Sequence, residues 1–370
     1  MRIFPVLLVS ALLLACGSGP VVWERVIDAE ADEVAAGLAT DGTRLAVLGT
    51  RTSPGGGSAW LLQLLSLDGR LRGSRLYDEG TTNVAGDAAM AANGDVLAVG
   101  TSRIEDREMC VVARYGAGAS LVWHRALALG DEARGRGICR TADRVLVCGS
   151  VTAEGAQRLF IAALDSAGTT IWTRDYDLGP SSEARRIAAD RDGNLAVCGR
   201  AGTAENPDIL VAKFGPGGDT LWTRHYDSGG PDEPGGVAFD VFGNVLVTGT
   251  AGTDTPRCVI LEYHPNGELI RRAAYTEEAQ AEGRAIATTP DGDIFVTGRL
   301  LGAGTSALLA FQYEPNATSI WEQTLRRTGG DMTGIGLAVP GDVFVLVTVE
   351  RPDASDMLLA RFRRPTGAGG

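Results

Sequence analysis

A period of about fifty residues runs the length of the chain, and it constrains the fold more than any local motif. WTRDYD begins at Trp172 and WTRHYD at Trp222, while Trp123 opens WHRAL, Trp321 opens WEQTL and Trp23 opens WERVI. Gly73 and Arg271 fill the two remaining slots, so positions 23, 73, 123, 172, 222, 271 and 321 step by 49 or 50. A second marker keeps the same period. Gly49, Gly100, Gly149, Gly199, Gly249 and Gly298 each close a Val-rich run, and Val347 stands in the seventh slot.

Each copy reads as four short strands. In the fourth they are ARRIAAD (184–190), NLAVCG (194–199), DILVAKFG (208–215) and TLWTRHYD (220–227). Asp192-Gly193 joins the first two and a Gly-rich turn the last two, dipeptides that supply the positive φ of tight hairpins. Four antiparallel strands cannot bury both faces alone, whereas seven such sheets packed radially can. The expected fold is therefore all-β, a seven-bladed β-propeller with four-stranded blades. No copy holds a helix-length stretch of 3.6-residue periodicity, which excludes a helical solenoid.

The phase of the repeat predicts how the ring closes. Inner strands begin near residues 34, 84, 135, 184, 235, 283 and 334. The first recognisable strand, Trp23–Asp28, is of the outer type, and the last, Met357–Arg363, is of the third type. The N-terminal strand should thus serve as the outer strand of the last blade. The propeller is placed at 23–364, between a tether at 16–22 and a flexible tail at 365–370.

Composition bounds the partners. A formal net charge of −12 disfavours nucleic acid, whose binding rests on Lys and Arg neutralising phosphates. With 44% hydrophobic and 22% charged residues the chain folds rather than staying disordered. Residues 1–15 differ from the rest: Arg2 precedes the apolar run IFPVLLVSALLLA, too short to span a bilayer and long enough for a signal segment. The run ends in Leu13-Leu14-Ala15-Cys16 and is followed by Gly-Ser-Gly. This resembles the lipobox of bacterial lipoproteins, and the resemblance implies acylation at Cys16 after removal of 1–15. Six residues separate Cys16 from Trp23, an extended reach of about 20 Å, so the propeller would sit close to the membrane.

FGNVLVTGTA (242–251), DGDIFVTGRL (291–300) and DGNLAVCGRA (192–201) resemble the bacterial β-propeller repeat called SBBP, whose units carry a glycine-rich D-x-G-N-x-Y-V-T-G core. The resemblance covers roughly 23–363 and implies a propeller on a secreted or surface-attached protein. The aromatic before Val-Thr-Gly is often missing here, and the second and third copies are weak. The family brings no shared catalytic residue, so function rests on sites.

The recurring candidate is an acid before the inner strand: Glu33, Glu132, Glu183, Glu233, Glu282 and Asp331, with Asn83 in the second copy. Rotational repetition would set these around one mouth of the central channel. Arg185 and Arg284 follow two residues later, and Arg136 follows in a shifted register. Such a ring reads either as a polar ligand or cation site, or as inter-blade pairing of carboxylates and guanidinium groups. We expect the second. Asp190-Arg191-Asp192-Gly193-Asn194 looks like the start of a calcium loop but lacks the distal Glu, and reads as a hairpin turn.

His124, His225 and His264 fall in copies that do not converge, against a metal cluster or a Ser-His-Asp triad. The recurrent Trp resembles the docking Trp of quinone-cofactor propellers but is expected to pack between outer strands. Cys139 and Cys148 would face each other if their hairpin turns at Asp143-Arg144, giving a disulfide; otherwise all five cysteines after Cys16 are small buried thiols.

The reading is a lipid-anchored, extracytoplasmic, monomeric module of the bacterial cell envelope. It would bind or scaffold an envelope protein or polysaccharide without cofactor or metal, on variable loops such as Thr101–Glu108 and Ala251–Arg257. The alternative is a propeller lyase or hydrolase with a polar site at the channel mouth, and a third is an envelope element without a discrete ligand.

Overall fold

The computed structural model describes residues 21–27, 31–253, 255–275, 280–302, 304–314 and 319–364. The signal segment, Cys16 and the 365–370 tail lie outside them. Seven four-stranded antiparallel sheets form the seven blades of a β-propeller. The first blade runs outward from the channel as Asp32–Thr40, Arg44–Thr52, Ser58–Ser66 and Leu71–Tyr77. The last holds Asp331–Ala338, Val343–Arg351 and Ala354–Phe362, and Val21–Ile27 completes it as the outer strand. Ile27 pairs with Met357 and Val21 with Phe362, so the chain's two ends close the ring as the repeat phase predicts.

The core is divided among the blade interfaces. Among the described residues seven buried apolar clusters occur, each drawn from two adjacent blades. Both periodic sequence markers act there. The outer-strand Trp of one blade covers the glycine of the outer hairpin turn in the next: Trp123 on Gly168, Trp172 on Gly218, Trp222 on Gly267 and Trp23 on Gly69. A Cβ on Gly267 would lie 2.7 Å from the Trp222 ring. Trp222 Nε1 donates to Pro265 O at 2.9 Å and Trp123 Nε1 to Ser166 O at 3.2 Å. The Trp therefore packs between blades. The first blade lacks it at Gly73, and the turn of the second blade carries Ala119 where the first, third, fourth and fifth blades carry Gly69, Gly168, Gly218 and Gly267. Ala119 Cβ occupies that vacated space, 3.2 Å from where a Gly73 Cβ would be, at the cost of a φ of 64°.

The glycine marker faces a β-bulge. In every inner strand the register shifts by one residue just past the position opposite the marker, as at Ala35/Gly37 and Ala184/Arg186. The bulge pushes a carbonyl at the second strand: a Cβ on Gly199 would meet Glu183 O at 2.0 Å, and one on Gly298 would meet Glu282 O at 1.9 Å.

The hairpin of Cys139 and Cys148 turns one residue earlier than a disulfide needs. Arg140 pairs with Val145, which sets Cys139 opposite Leu146 and Cys148 opposite Gly137. All five cysteines in the described region are free. Burial pushes the Cys110, Cys198 and Cys258 thiols up to about 12, leaving them inert small apolar groups.

Candidate binding site at the channel mouth

Inner strands begin, and loops to the third strands cross, at one end of the channel, which defines its mouth. Counting from the residue opposite the glycine marker, the slot one residue nearer the mouth holds Val34, Val84, Arg134, Glu183, Glu233, Glu282 and Thr333. The six predicted acids do not share that slot. Glu183, Glu233 and Glu282 do. Glu33 and Asn83 sit one residue earlier, on the opposite face of the strand, and are fully buried. Glu132 and Asp331 sit two residues earlier, about 7 Å further toward the rim. Loops of unequal length shift each acid relative to the bulge, so the acidic ring is a three-blade arc.

The bulge slot itself holds Ala36, Gly86, Arg136, Arg185, Gly235, Arg284 and Ile335. The three arginines therefore share one layer, and it is Glu132 that is displaced.

Within the arc the charges pair. Glu183 meets Arg185 Nε at 3.3 Å and Arg200 Nε at 2.9 Å. The same two arginines reach Glu233 in the next blade, at 3.3 and 3.4 Å. Glu282 takes Arg284 and Arg299, both at 2.6 Å. Arg299 stands directly across the strand pair from Glu282, as Arg200 does from Glu183. These second-strand arginines were missed by a reading confined to the inner strand, although each follows its marker glycine directly. Glu33 lies opposite Arg51 in the same way. Asp331 accepts the Ser306 amide at 2.6 Å, tying the sixth blade's loop to the seventh. Arg134 pairs with Glu108.

Burial raises the Glu282 carboxyl, but hydrogen bonds and charge from Arg299 and Arg284 outweigh it and leave it below its ordinary 4.5. A depressed acid stabilises the fold above pH 4.5 and loses that contribution as the pH falls through its folded value. Glu282→Gln is accordingly expected to cost about 2 kcal/mol at pH 7, with the gap to the parent closing in acid. Urea midpoints at pH 7 and pH 3.5 measure it, and a variant melting above the parent at pH 7 would contradict the pairing.

Arg136 is the exception among the three bulge arginines. It is partly buried, and it donates no hydrogen bond and makes no ion pair among the described residues. Burial and the charges of Arg185, Arg134 and Arg186 push its guanidinium down, with Glu183 pulling the other way.

One layer deeper, Arg186 crosses the channel. Its guanidinium donates to Ala36 O in the first blade at 3.2 Å, and to Arg136 O and Arg185 O at 3.4 and 3.1 Å. It also faces Asp87 of the second blade at 3.8 Å. Burial raises the Asp87 carboxyl by more than Arg186 lowers it. Arg186 and Asp87, with Gly37, Gly236, Gly336 and neighbouring aliphatic side chains, line a cavity of about 160 Å³.

The other candidates resolve into turns. Asp190 accepts the amides of Asp192 and Asn194, closing a hairpin that Asp240 repeats with Phe242 and Asn244. His124 Nδ1 lies 3.3 Å from the Tyr77 hydroxyl and from Glu79, and His264 Nδ1 accepts the Asn266 amide. Asp208, Asp227 and Asp232 bring carboxylate oxygens within 4.8 Å of one another, a spacing that admits a divalent cation. Asp232 is nevertheless occupied in capping its loop through the Ser228 amide and hydroxyl at 2.7 and 2.6 Å. Thr101–Glu108, expected as a loop, is strand except for a tight turn at Glu105-Asp106, both with positive φ.

No family model matches the chain, and no curated protein matches it. Solved structures do. The β-propeller domain of the Trilobed protease from Pyrococcus furiosus, described as having an open velcro topology, superposes with a TM-score of 0.53 at 11% identity, over 89% of this chain and 95% of that one. Puromycin hydrolase superposes with a TM-score of 0.58 at 15% identity over 90% of this chain, which spans about half (54%) of the hydrolase. The S511A mutant of that hydrolase, complexed with PGG, gives 0.57 at 15% identity. These likenesses show the propeller fold.

Proposed function

We propose that the chain is a lipid-anchored propeller of the bacterial cell envelope that works as a binding or scaffolding module, with its channel mouth turned away from the membrane. The observation that carries the binding half is the pairing of charge at the mouth. Glu183, Glu233 and Glu282 are each held by two arginines, so none is left to act as a general acid or base. The hydrolase names of the structural neighbours belong to chains 11–15% identical to this one and lend it no chemistry.

The orientation follows from strand direction. Val21 pairs with Phe362 at the end of the disc where the inner hairpins turn, and Ile27 reaches the mouth end. A short lipidated tether ending at Val21 would hold the hairpin end against the bilayer. Phe242, 82% exposed in a hairpin turn, lies at that end. The loops at the mouth, including the one between Ala251 and Arg257, would face a protein or polysaccharide partner.

The anchor is tested by Cys16→Ser. That variant should lose metabolic labelling by palmitate and leave the membrane fraction, because stable attachment needs more than one acyl chain or a second signal. Retention of the unlabelled variant in the membrane would mean that a protein partner holds it there. Photo-crosslinkers placed in the 252–256 loop should capture a partner, and equal capture from the hairpin end would reverse the orientation.

A further inference from the structure

The rim of the channel is unequal around its circumference. Blades four to six carry the compensated Glu–Arg arc, whereas the first two blades present Val34 and Val84, 47% and 43% exposed. Between these halves stands the third blade with Arg134 and, one layer in, Arg136. Arg134 is neutralised by Glu108. Arg136 has one carboxylate, Glu183, among three guanidinium groups in its electrostatic surroundings, and that carboxylate is already shared by Arg185 and Arg200.

A partly buried guanidinium whose Nε has no acceptor among the described residues is costly to keep. Here it persists in a chain whose net charge is −12, one layer below a rim on which Val34 and Val84 expose apolar surface. Both features are relieved by one kind of guest: an anion for the planar fork of Arg136, joined to an apolar group for the valines.

We propose that the channel mouth binds a carboxylate borne on an apolar group, with Arg136 reading the carboxylate and Val34 and Val84 the apolar part. An apolar amino-acid derivative or the C-terminus of a peptide has this chemistry. The proposal rests on the mouth being the binding face and not on the lipid anchor, so the two readings can fail separately.

The test is calorimetric titration of the full chain, in nonionic detergent, with N-acetyl-leucine, N-acetyl-leucinamide, glucuronate and inorganic phosphate. N-acetyl-leucine should bind, and its amide at least about tenfold more weakly, the loss expected when a buried charge is left unpaired. Arg136→Gln should lose about tenfold or more, and Arg136→Lys less. Val34→Glu, at an exposed site, should lose as much as Arg136→Gln while melting like the parent. The proposal is overturned by absence of N-acetyl-leucine binding at millimolar concentration, by equal binding of the amide, or by insensitivity to Arg136→Gln and Val34→Glu. Tighter binding of glucuronate or phosphate than of N-acetyl-leucine overturns it as well. If all four probes fail while crosslinkers at the mouth still capture a partner, the carboxylate site falls and the binding face stands.

Discussion

Deleting Val21–Ile27 is expected to abolish cooperative unfolding. The deletion strips the third strand of the last blade, Ala354–Phe362, of its ladder partner along six residue pairs. It also removes Ile27, which is 1% exposed in the cluster between the last and first blades, and Trp23, which covers Gly69. Losing one buried aliphatic and one large aromatic side chain costs at least about 5 kcal/mol, within the range of a whole domain's stability. The bared edge would then pair between molecules. Thermal melting and light scattering of the truncated chain measure both effects, and addition of the missing strand as a peptide should restore part of the transition. A truncated protein that melts as one sharp transition near the parent's temperature would show that the ring does not depend on this closure.

The second large effect is expected at Arg186. Arg186→Met removes the cation that faces Asp87 and leaves the carbonyls of Ala36, Arg136 and Arg185 without their donor. Breaking a buried pair from one side costs about 3–5 kcal/mol. The sign with pH follows from Asp87. Its folded carboxyl is already raised above its ordinary 3.8 by burial, so its ionisation weakens the fold as the pH rises through the interval above 3.8. Without Arg186 that interval extends upward, and the penalty should be larger at pH 7 than at pH 4.5. Adding Asp87→Asn to Arg186→Met should recover part of the loss, which a double-mutant cycle in urea quantifies. An additive cycle, or a penalty equal at both pH values, would mean that the two groups do not interact.

Both predictions depend on how blades meet, and the same distinction separates the charges that one strand could reveal from those it could not. Glu183 and Arg185 lie on one strand two residues apart, and their proximity follows from the period of two. Arg200 and Arg299 reach their carboxylates from the neighbouring strand. Their places depend on a bulge whose position the sequence marks only through the opposing glycine.

What the sequence determined by itself is the number of blades, their four-strand order and the closing strand. Its two markers report contacts that recur from blade to blade: Trp222 over the Gly267 turn, and Gly199 opposite the bulge at Arg185. A constraint repeated many times at a fixed spacing survives the weakness of any one copy, so the loss of Trp at Gly73 or of Gly at Val347 does not hide it. Only the tertiary structure decided which acids stand together. A one-residue offset reverses the face of a strand, and it sets Glu33 on the opposite face of its strand from the one Glu183 takes in the fourth blade. The same holds for Cys139 and Cys148, kept apart by a turn set one residue from where a disulfide would need it. It holds most for Arg186 and Asp87, about a hundred residues apart, which meet because the ring folds the fourth blade back across the channel toward the first and second.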